Sequence, residues 1–105
     1  MTMTKNVRDI KNRIIAERGE MCDLCLVRRG QDLHHALIHR DKRFPELDAE
    51  ENFCLLCHEC HMGNGYVNSY EFKCAFWSIQ CQRYTEIRMR KWLMNLPLKV
   101  KPIFQ

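Results

Sequence analysis

Two short cysteine motifs constrain the fold of this chain more than any other feature. Cys22 and Cys25 form one C-x₂-C pair, and Cys57 and Cys60 form a second after residues 26–56. Each pair is typical of a zinc knuckle, a turn that presents two thiolates to one point, and two knuckles complete a tetrahedral four-sulfur site. All four ligands come from the protein, so we expect a closed, structural zinc ion.

The cysteine count argues against a disulfide framework. The chain has seven cysteines, an odd number. Its longest wholly apolar run, Phe53–Cys57, is too short to cross a membrane, and the N-terminal residues lack the apolar stretch of a signal peptide. Disulfides are typical of oxidising compartments. We therefore expect a cytoplasmic protein without membrane attachment, whose cysteines bind metal.

The second knuckle has an alternative register. Cys54-Leu-Leu-Cys57 is also a C-x₂-C motif. We favour Cys57 with Cys60 because the polar pair His58-Glu59 suits an exposed turn, whereas Leu55-Leu56 suits a buried strand. The three remaining cysteines are expected to pack as small hydrophobic residues in the core: Cys54, Cys74 and Cys81.

The interval between the knuckles is longer than the roughly 15–20 residues of a simple zinc ribbon, so it must hold structure of its own. Residues 32–38 and 52–56 are predicted strands, joined by a charged loop. A short helix is predicted from about His58 to the Gly63-Asn64-Gly65 breaker. The two predicted strands and the short helix form an α+β unit, and the zinc ion bound by the two knuckles connects its ends.

Helices are predicted on both sides of this unit. Residues 4–18 have amphipathic spacing and end at Gly19. Asn68-Ser69-Tyr70-Glu71 resembles a capping box for a long helix that runs to about Asn95, before Pro97. We expect one domain over residues 1–105, with an N-terminal helix at 1–20, a zinc-stapled core at 21–65, and a C-terminal helix with a basic tail at 66–105.

The charge distribution favours a polyanionic partner. Seventeen Lys and Arg residues against thirteen Asp and Glu residues give a formal net charge of +4. The basic residues concentrate at 1–18 and 82–105, whereas residues 44–61 contain acidic residues and no Lys or Arg. Basic flanks of this kind suit a nucleic acid, although two solvated helix faces would give the same pattern.

The histidines are the candidates for chemistry. His34 and His35 lie on the first predicted strand, and His61 directly follows the last zinc cysteine. The knuckle brings His61 back toward the first strand, where three imidazoles can bind a second divalent metal and supply a base. We interpret His39 and His58 as ordinary surface or core residues.

These residues carry a family resemblance. The pair His34-His35, then Asn52-x₄-Cys57-x₂-Cys60-His61, preceded by Cys22-x₂-Cys25, resembles the zinc-stapled branch of the HNH endonuclease family. The family resemblance implies a ββα-metal (His-Me finger) fold that cuts nucleic acid phosphodiesters. The match covers residues 22–64 and is similar to small stand-alone HNH proteins of phages and mobile elements, which implies the host cytoplasm as the location.

The resemblance also implies roles. His34 and His61 correspond to the ligands of the catalytic divalent metal, His35 to the general base that activates water, and Asn52 to the residue that holds the loop orienting the base. A histidine replaces the commoner Asp at His34, and a neutral ligand holds Mg²⁺ less firmly than a carboxylate does. Mn²⁺, Ni²⁺ or Zn²⁺ are therefore expected to serve as well as Mg²⁺ or better. His34 and His35 can serve one site only if the strand twists or ends there, because adjacent strand residues face opposite sides.

Two positions depart from the family's pattern. Some members carry a further His where this chain has Gly65, and others carry a Lys near Gly63 and Asn64. A ligand or a phosphate contact is therefore absent here or comes from another part of the chain.

Basic residues outside the motif are the candidates for DNA contact. Two groups are expected to contact the phosphate backbone, one in the loop after the first strand and one on the C-terminal helix: Arg40, Lys42 and Arg43, and Arg83, Arg88, Arg90 and Lys91. The aromatic residues among them, Trp77 above all, are expected to pack in the core. No specificity domain is recognisable, so three alternatives stay open: nicking with weak sequence preference, recognition of a DNA structure, or specificity supplied by a homodimer or a protein partner.

Three functions are consistent with these patterns. The first is a metal-dependent HNH endonuclease that nicks DNA. The second is a zinc-stapled DNA-binding module without catalysis. The third is a nuclease subunit of a phage packaging or recombination machine, active only with its partner.

Overall fold

The computed structural model describes residues 4–63, 65–97 and 99, and within these ranges the chain forms four α-helices and one two-stranded sheet. Short 3₁₀ turns lie at Pro45–Leu47 and Gly65–Asn68. The elements in chain order are α1 (Lys5–Arg18), β1 (Asp32–His35), β2 (Phe53–Leu56), α2 (His58–Gly63), α3 (Tyr70–Tyr84) and α4 (Glu86–Met94). The predicted α+β class is confirmed. Apart from Lys99, the predicted basic tail after Pro97 lies outside the described residues, as does Asn64 of the predicted breaker.

The N-terminal helix forms where the sequence predicts it. The Thr4 side chain caps its start by accepting a hydrogen bond from the Val7 N–H, and Gly19 ends it with a φ of 85°. Positive φ costs glycine little, which explains the stop at this residue. Ile10 and Ile14 are buried against Phe53 and Leu55 of β2. This helix therefore covers one face of the sheet.

The sheet is antiparallel and shorter than predicted. His34 lies opposite Cys54 and His35 lies opposite Phe53, where β1 ends. The prediction that β1 extends to Ile38 is wrong, because the Asn52 side chain accepts the N–H groups of the next residues that would otherwise join a ladder. All four residues of β2 are buried, which places the sheet inside the fold.

The predicted long C-terminal helix is two helices. Ser69 caps α3 as predicted, since its Oγ accepts a hydrogen bond from the Phe72 N–H at 3.1 Å. The helix stops at Tyr84, and Thr85, with a φ of 78°, caps the start of α4 by accepting a hydrogen bond from the Arg88 N–H. A threonine hydroxyl competes with the helix for backbone N–H groups, so it favours a break at this point. The prediction of one continuous helix to Asn95 is wrong.

The break lets both helices bury apolar residues. Phe72 and Phe76 of α3 pack with Cys54 and Leu56 on the face of the sheet opposite α1, and Met89 of α4 joins the same core. Leu93 packs in a separate cluster with Leu47 and Leu96. Trp77 is half-buried and packs against both clusters, as predicted for a core residue. Within the part of the chain that the structure describes, no helix has the length and apolar content needed to cross a membrane.

Candidate functional site

The four cysteines of the two knuckles converge. One sulfur atom from each of the four residues lies within 4.8 Å of the other three, and Cys25 Sγ lies 3.9 Å from Cys57 Sγ. A tetrahedral zinc ion with Zn–S bonds of about 2.3 Å separates its sulfur ligands by about 3.8 Å. The cluster could therefore hold a metal ion, and its geometry and donor set fit a structural zinc ion, as the sequence predicts for Cys22, Cys25, Cys57 and Cys60.

At two of the four cysteines the surroundings favour the thiolate, the form that binds metal. Backbone N–H groups of Arg28 and Val27 lower the pKa of Cys25 to about 6. The Arg28 guanidinium donates a hydrogen bond from Nε to Cys57 Sγ at 3.3 Å and lowers the pKa of that thiol. Burial raises the pKa of Cys60 to about 12. Arg28 is thus a supporting residue that the sequence analysis missed, and its only signal is its position three residues after Cys25.

Cys54 does not belong to the cluster. Its side chain is completely buried in the core, and burial raises the pKa of its thiol well above the usual range. Cys74 and Cys81 are half-buried and pack against the same core. The prediction that these three cysteines are core residues is confirmed, and the alternative register of the second knuckle is wrong.

His34 is held in a defined orientation. Its Nε2 atom lies 2.9 Å from the Val67 carbonyl oxygen in the turn before α3. A carbonyl only accepts, so Nε2 carries the hydrogen and Nδ1 has the free electron pair of the neutral ring. Burial lowers the pKa of His34, which favours this neutral form. A neutral imidazole whose second nitrogen is held by a carbonyl is the usual state of a metal-binding histidine.

His61 lies beside His34. Their ring centroids are 5.3 Å apart and their planes are inclined by 55°. Two imidazoles bound tetrahedrally to one ion, with metal–nitrogen bonds of about 2.1 Å, have centroids about 5 Å apart. This spacing is compatible with one metal ion between the two rings.

Asp32 positions His61. Its Oδ2 atom lies 3.0 Å from His61 Nδ1 and 3.4 Å from His58 Nδ1. Donation from His61 Nδ1 to the carboxylate leaves Nε2 available to a metal, the arrangement called a carboxylate–histidine–metal triad. Asp32 was not among the residues predicted from the sequence. Its signal is an acidic residue two positions before His34, on the same face of β1.

Asn52 connects the two ends of the loop between the strands. Its Oδ1 accepts hydrogen bonds from the N–H groups of Leu37 and Ile38 at 3.0 and 2.9 Å. Its Nδ2 donates to the carbonyl oxygens of Ile38 and Leu47 at 2.9 and 3.0 Å. The side chain is fully buried, so these four bonds fix the backbone directly after His35.

His35 lies on the other face of the sheet from His34. Its ring contacts Phe53, with centroids 4.7 Å apart, and its Nε2 lies 2.8 Å from Asp48 Oδ1. Donation to this carboxylate leaves Nδ1 able to accept a proton. Among the described residues, the cysteines are the only group of three or more potential ligands whose donor atoms lie within 4.8 Å of one another. The structure therefore brings His34 and His61 together but does not add His35 as a third donor.

The basic residues proposed for DNA contact are exposed, and several have acidic partners. Arg83 pairs with Asp23 at 2.7 Å, Arg90 with Glu86 at 3.1 Å, and Arg43 with Asp41 at 2.8 Å. Arg88 pairs with Glu50 and Glu51 and lies over the Tyr84 ring. Arg40, Lys42 and Lys91 complete the exposed set. Arg83 and Arg88 thus also connect different parts of the fold through ion pairs, which the charge pattern alone does not indicate.

A groove of about 500 Å³ runs along α4, lined by residues that include Glu51, Arg88, Lys91 and Trp92. None of the histidines lines it. The groove offers a basic, partly aromatic surface, separate from the histidine pair.

The chain matches no protein-family model, no curated protein and no solved structure. The case for its function therefore depends on its own residues and their geometry.

Proposed function

We propose that this chain is a metal-dependent endonuclease of the HNH type that nicks DNA. The observation that carries the proposal is the pair His34 and His61, with ring centroids 5.3 Å apart. One ring comes from β1, and the other comes from the helix that directly follows β2 and contains the last cysteine of the metal cluster. This order of strand, strand and helix is the one that the resemblance implies for a ββα-metal unit.

The polar network around the pair gives further support. Asn52 holds the backbone that follows His35, which is the role the resemblance implies for it. The Val67 carbonyl accepts a hydrogen bond from one ring nitrogen of His34, and the Asp32 carboxylate accepts one from a ring nitrogen of His61. The second nitrogen of each ring is then available to a metal. An Mg²⁺, Mn²⁺, Ni²⁺ or Zn²⁺ ion held by His34 and His61 would neutralise charge on the phosphoryl and leaving oxygens.

For the remaining steps, the end of β1 must bring His35, which lies on the other face of the sheet, to the phosphate bound at His34 and His61. Asp48 orients His35 and fixes the hydrogen on Nε2, so that Nδ1 accepts a proton from water. The water oxygen forms a bond to phosphorus, and the bond from phosphorus to the leaving oxygen breaks. Two protein ligands leave coordination positions for water and phosphate. One site of this kind cuts one strand.

The separation of His34 and His35 onto opposite faces favours a second candidate. If His35 does not reach the phosphate, the chain is a zinc-stapled DNA-binding module, or a subunit whose partner completes the site. In the third function, the partner-dependent nuclease of a phage machine, a protein partner must reposition the end of β1. Both alternatives retain DNA binding without cutting by the isolated chain.

Separating cleavage from binding tests the proposal. Cleavage of a labelled duplex and its binding are measured for the zinc-loaded wild type and for His35→Ala. We expect cleavage to fall by at least about 100-fold while affinity changes by less than about threefold, since general-base catalysis contributes roughly 10²–10⁴-fold. Asn12→Ala, which removes an exposed polar side chain from α1, is the control and is expected to cut normally. Unchanged cleavage by His35→Ala would overturn the assignment of the base.

A further inference from the structure

Lys73 has a buried ammonium group without a hydrogen-bond partner. Its Nζ is shielded from solvent, and no acceptor among the described residues bonds to it. None of the ion pairs in the described ranges includes it either, and burial lowers the pKa of this amine. Burying an ammonium group without an acceptor is strongly unfavourable. The position is therefore unfavourable unless an anion completes it.

Lys73 lies near His34, one member of the histidine pair. Lys73 lies in the first turns of α3, and its backbone N–H bonds to the carbonyl of Ser69, the residue that caps this helix. The turn that leads into the helix holds His34 through the Val67 carbonyl. The charge of Lys73 contributes to lowering the pKa of His34 and of His39, so the ammonium group lies within electrostatic reach of both rings.

Two carboxylates lie in this region, but neither bonds to Lys73: Asp32 pairs with His61, and Glu71, in the first turn of α3, is exposed. The N-terminal end of a helix carries a partial positive charge, which disfavours a lysine in its first turns. A divalent cation at His34 and His61 would add to this repulsion. An oxyanion between the metal and the ammonium group would attract both and would supply acceptors for the lysine's three donors.

We propose that Lys73 binds a non-bridging oxygen of the phosphate group that occupies the histidine site. The inference rests on the proposed function and adds a residue to it, from a helix outside the motif. The ligand is a phosphate group, with the scissile phosphodiester of DNA as its source. Lys73 would then stabilise the charge that develops on the phosphoryl oxygens, next to the metal held by the histidines.

Inorganic phosphate is the probe for this site. It is titrated into the zinc-loaded protein while the backbone amide of Lys73 and the ring signals of the histidines are followed by NMR. We expect saturable shifts in the wild type, an affinity at least about tenfold weaker in Lys73→Met, and no change in Lys5→Met, which removes an exposed lysine from α1. Equal phosphate affinity in Lys73→Met and the wild type would overturn the proposal.

Melting temperature and cleavage separate a binding role from a structural one. Lys73→Met removes an unpaired buried charge, so we expect its melting temperature to stay the same or rise, while cleavage falls by about 100-fold or more. Lys73→Arg is expected to restore part of the cleavage. A lower melting temperature with unchanged phosphate affinity would contradict the proposal. If Lys73→Met does not fold, Lys73→Gln gives the same comparison.

The two proposals fail in different ways. Phosphate binding that depends on Lys73, in a protein that cuts no DNA with any metal, would leave the phosphate site standing and overturn the nuclease. Metal-dependent cutting that is equally fast in Lys73→Met would leave the nuclease standing and overturn the role of Lys73.

Discussion

Asn52 exchanges two hydrogen bonds with the backbone of Ile38: its Oδ1 accepts from the Ile38 N–H, and its Nδ2 donates to the Ile38 carbonyl, each at 2.9 Å. One buried amide thus replaces two ladder hydrogen bonds and ends the strand at His35. Together with its bonds to Leu37 and Leu47, the side chain accepts two hydrogen bonds and donates two, which matches the two lone pairs and two N–H groups of an amide.

Asn52→Asp is therefore expected to destabilise the protein strongly. The aspartate still accepts from Leu37 and Ile38, but its second oxygen faces two carbonyl oxygens and cannot donate to them when ionised. We expect the free energy of unfolding at pH 7 to fall by about 3 kcal/mol or more. Urea unfolding of the zinc-loaded protein measures it. Asn12→Asp on the exposed face of α1 is the control, expected to stay within about 0.5 kcal/mol; a similarly small effect at Asn52 would contradict the interpretation of its four bonds.

Removal of zinc is expected to unfold the chain. Structural zinc contributes roughly 10–16 kcal/mol of apparent binding energy in small zinc folds. Cys22→Ser should give poorly soluble protein with less than one zinc per chain, whereas Cys54→Ser should keep its zinc. Metal analysis of the purified variants measures their zinc content. Circular dichroism before and after chelation shows whether the chain unfolds when zinc is removed. Zinc loss in Cys54→Ser, or full zinc content in Cys22→Ser, would show that the ligand set is different.

Asp32→Asn is expected to weaken metal binding at the proposed His34–His61 site and to spare the cysteine cluster. The amide oxygen still accepts from His61 Nδ1, but the charge that makes the imidazole a better ligand is lost. Replacing such a partner typically lowers metal affinity by about 10–100-fold. Calorimetric titration of Mn²⁺ or Ni²⁺ into zinc-loaded protein measures the change, with Asp9→Asn on α1 as the matched control. Equal affinities in Asp32→Asn and Asp9→Asn would mean that His61 does not bind the ion through Nε2.

Thr85→Gly is expected to stabilise the protein. Thr85 combines a φ of 78° with a ψ of 150°, a region that β-branched residues avoid and glycine enters freely. Glycine loses the side-chain cap of α4, which costs only a few tenths of a kcal/mol. We expect a net gain of about 1 kcal/mol in the free energy of unfolding.

Thr85→Ala is the counterpart of this variant. Alanine loses the cap and keeps the unfavourable φ, so it should lower stability by about 1 kcal/mol. Thermal unfolding of both variants shows whether each substitution raises or lowers the stability of the protein. A loss of stability in Thr85→Gly equal to that in Thr85→Ala would show that the backbone at this break is not strained.

Local patterns were sufficient to predict much of the fold. The two C-x₂-C motifs predicted the cysteine cluster, and helical spacing with Gly19 predicted α1. The break at Thr85 could not be read from its surroundings, because no Gly or Pro lies near it and the residues on both sides favour helix. The break depends instead on tertiary packing. It changes the direction of the chain so that the apolar residues of α4, above all Met89 and Leu93, are buried.

The candidate site was only partly predictable, for a similar reason. His34, His61 and Asn52 have a fixed spacing along the chain, so the motif identified them. Asp32 and Asp48 contact His61 and His35 through tertiary packing, and Lys73 acts on His34 only electrostatically. Acidic or basic residues at such positions are usually solvated. The opposite faces of His34 and His35 follow from strand alternation, which the sequence analysis recognised as a condition on the site.

Nicking of supercoiled plasmid tests the central claim most directly. Zinc-loaded wild-type protein and His61→Ala are incubated with the plasmid in Mg²⁺, Mn²⁺ or Ni²⁺, or in EDTA. The account predicts conversion to open circles that requires a divalent ion and is lost in His61→Ala. Retained DNA binding without nicking in any of the three metals would contradict it and would favour the binding module or the partner-dependent subunit.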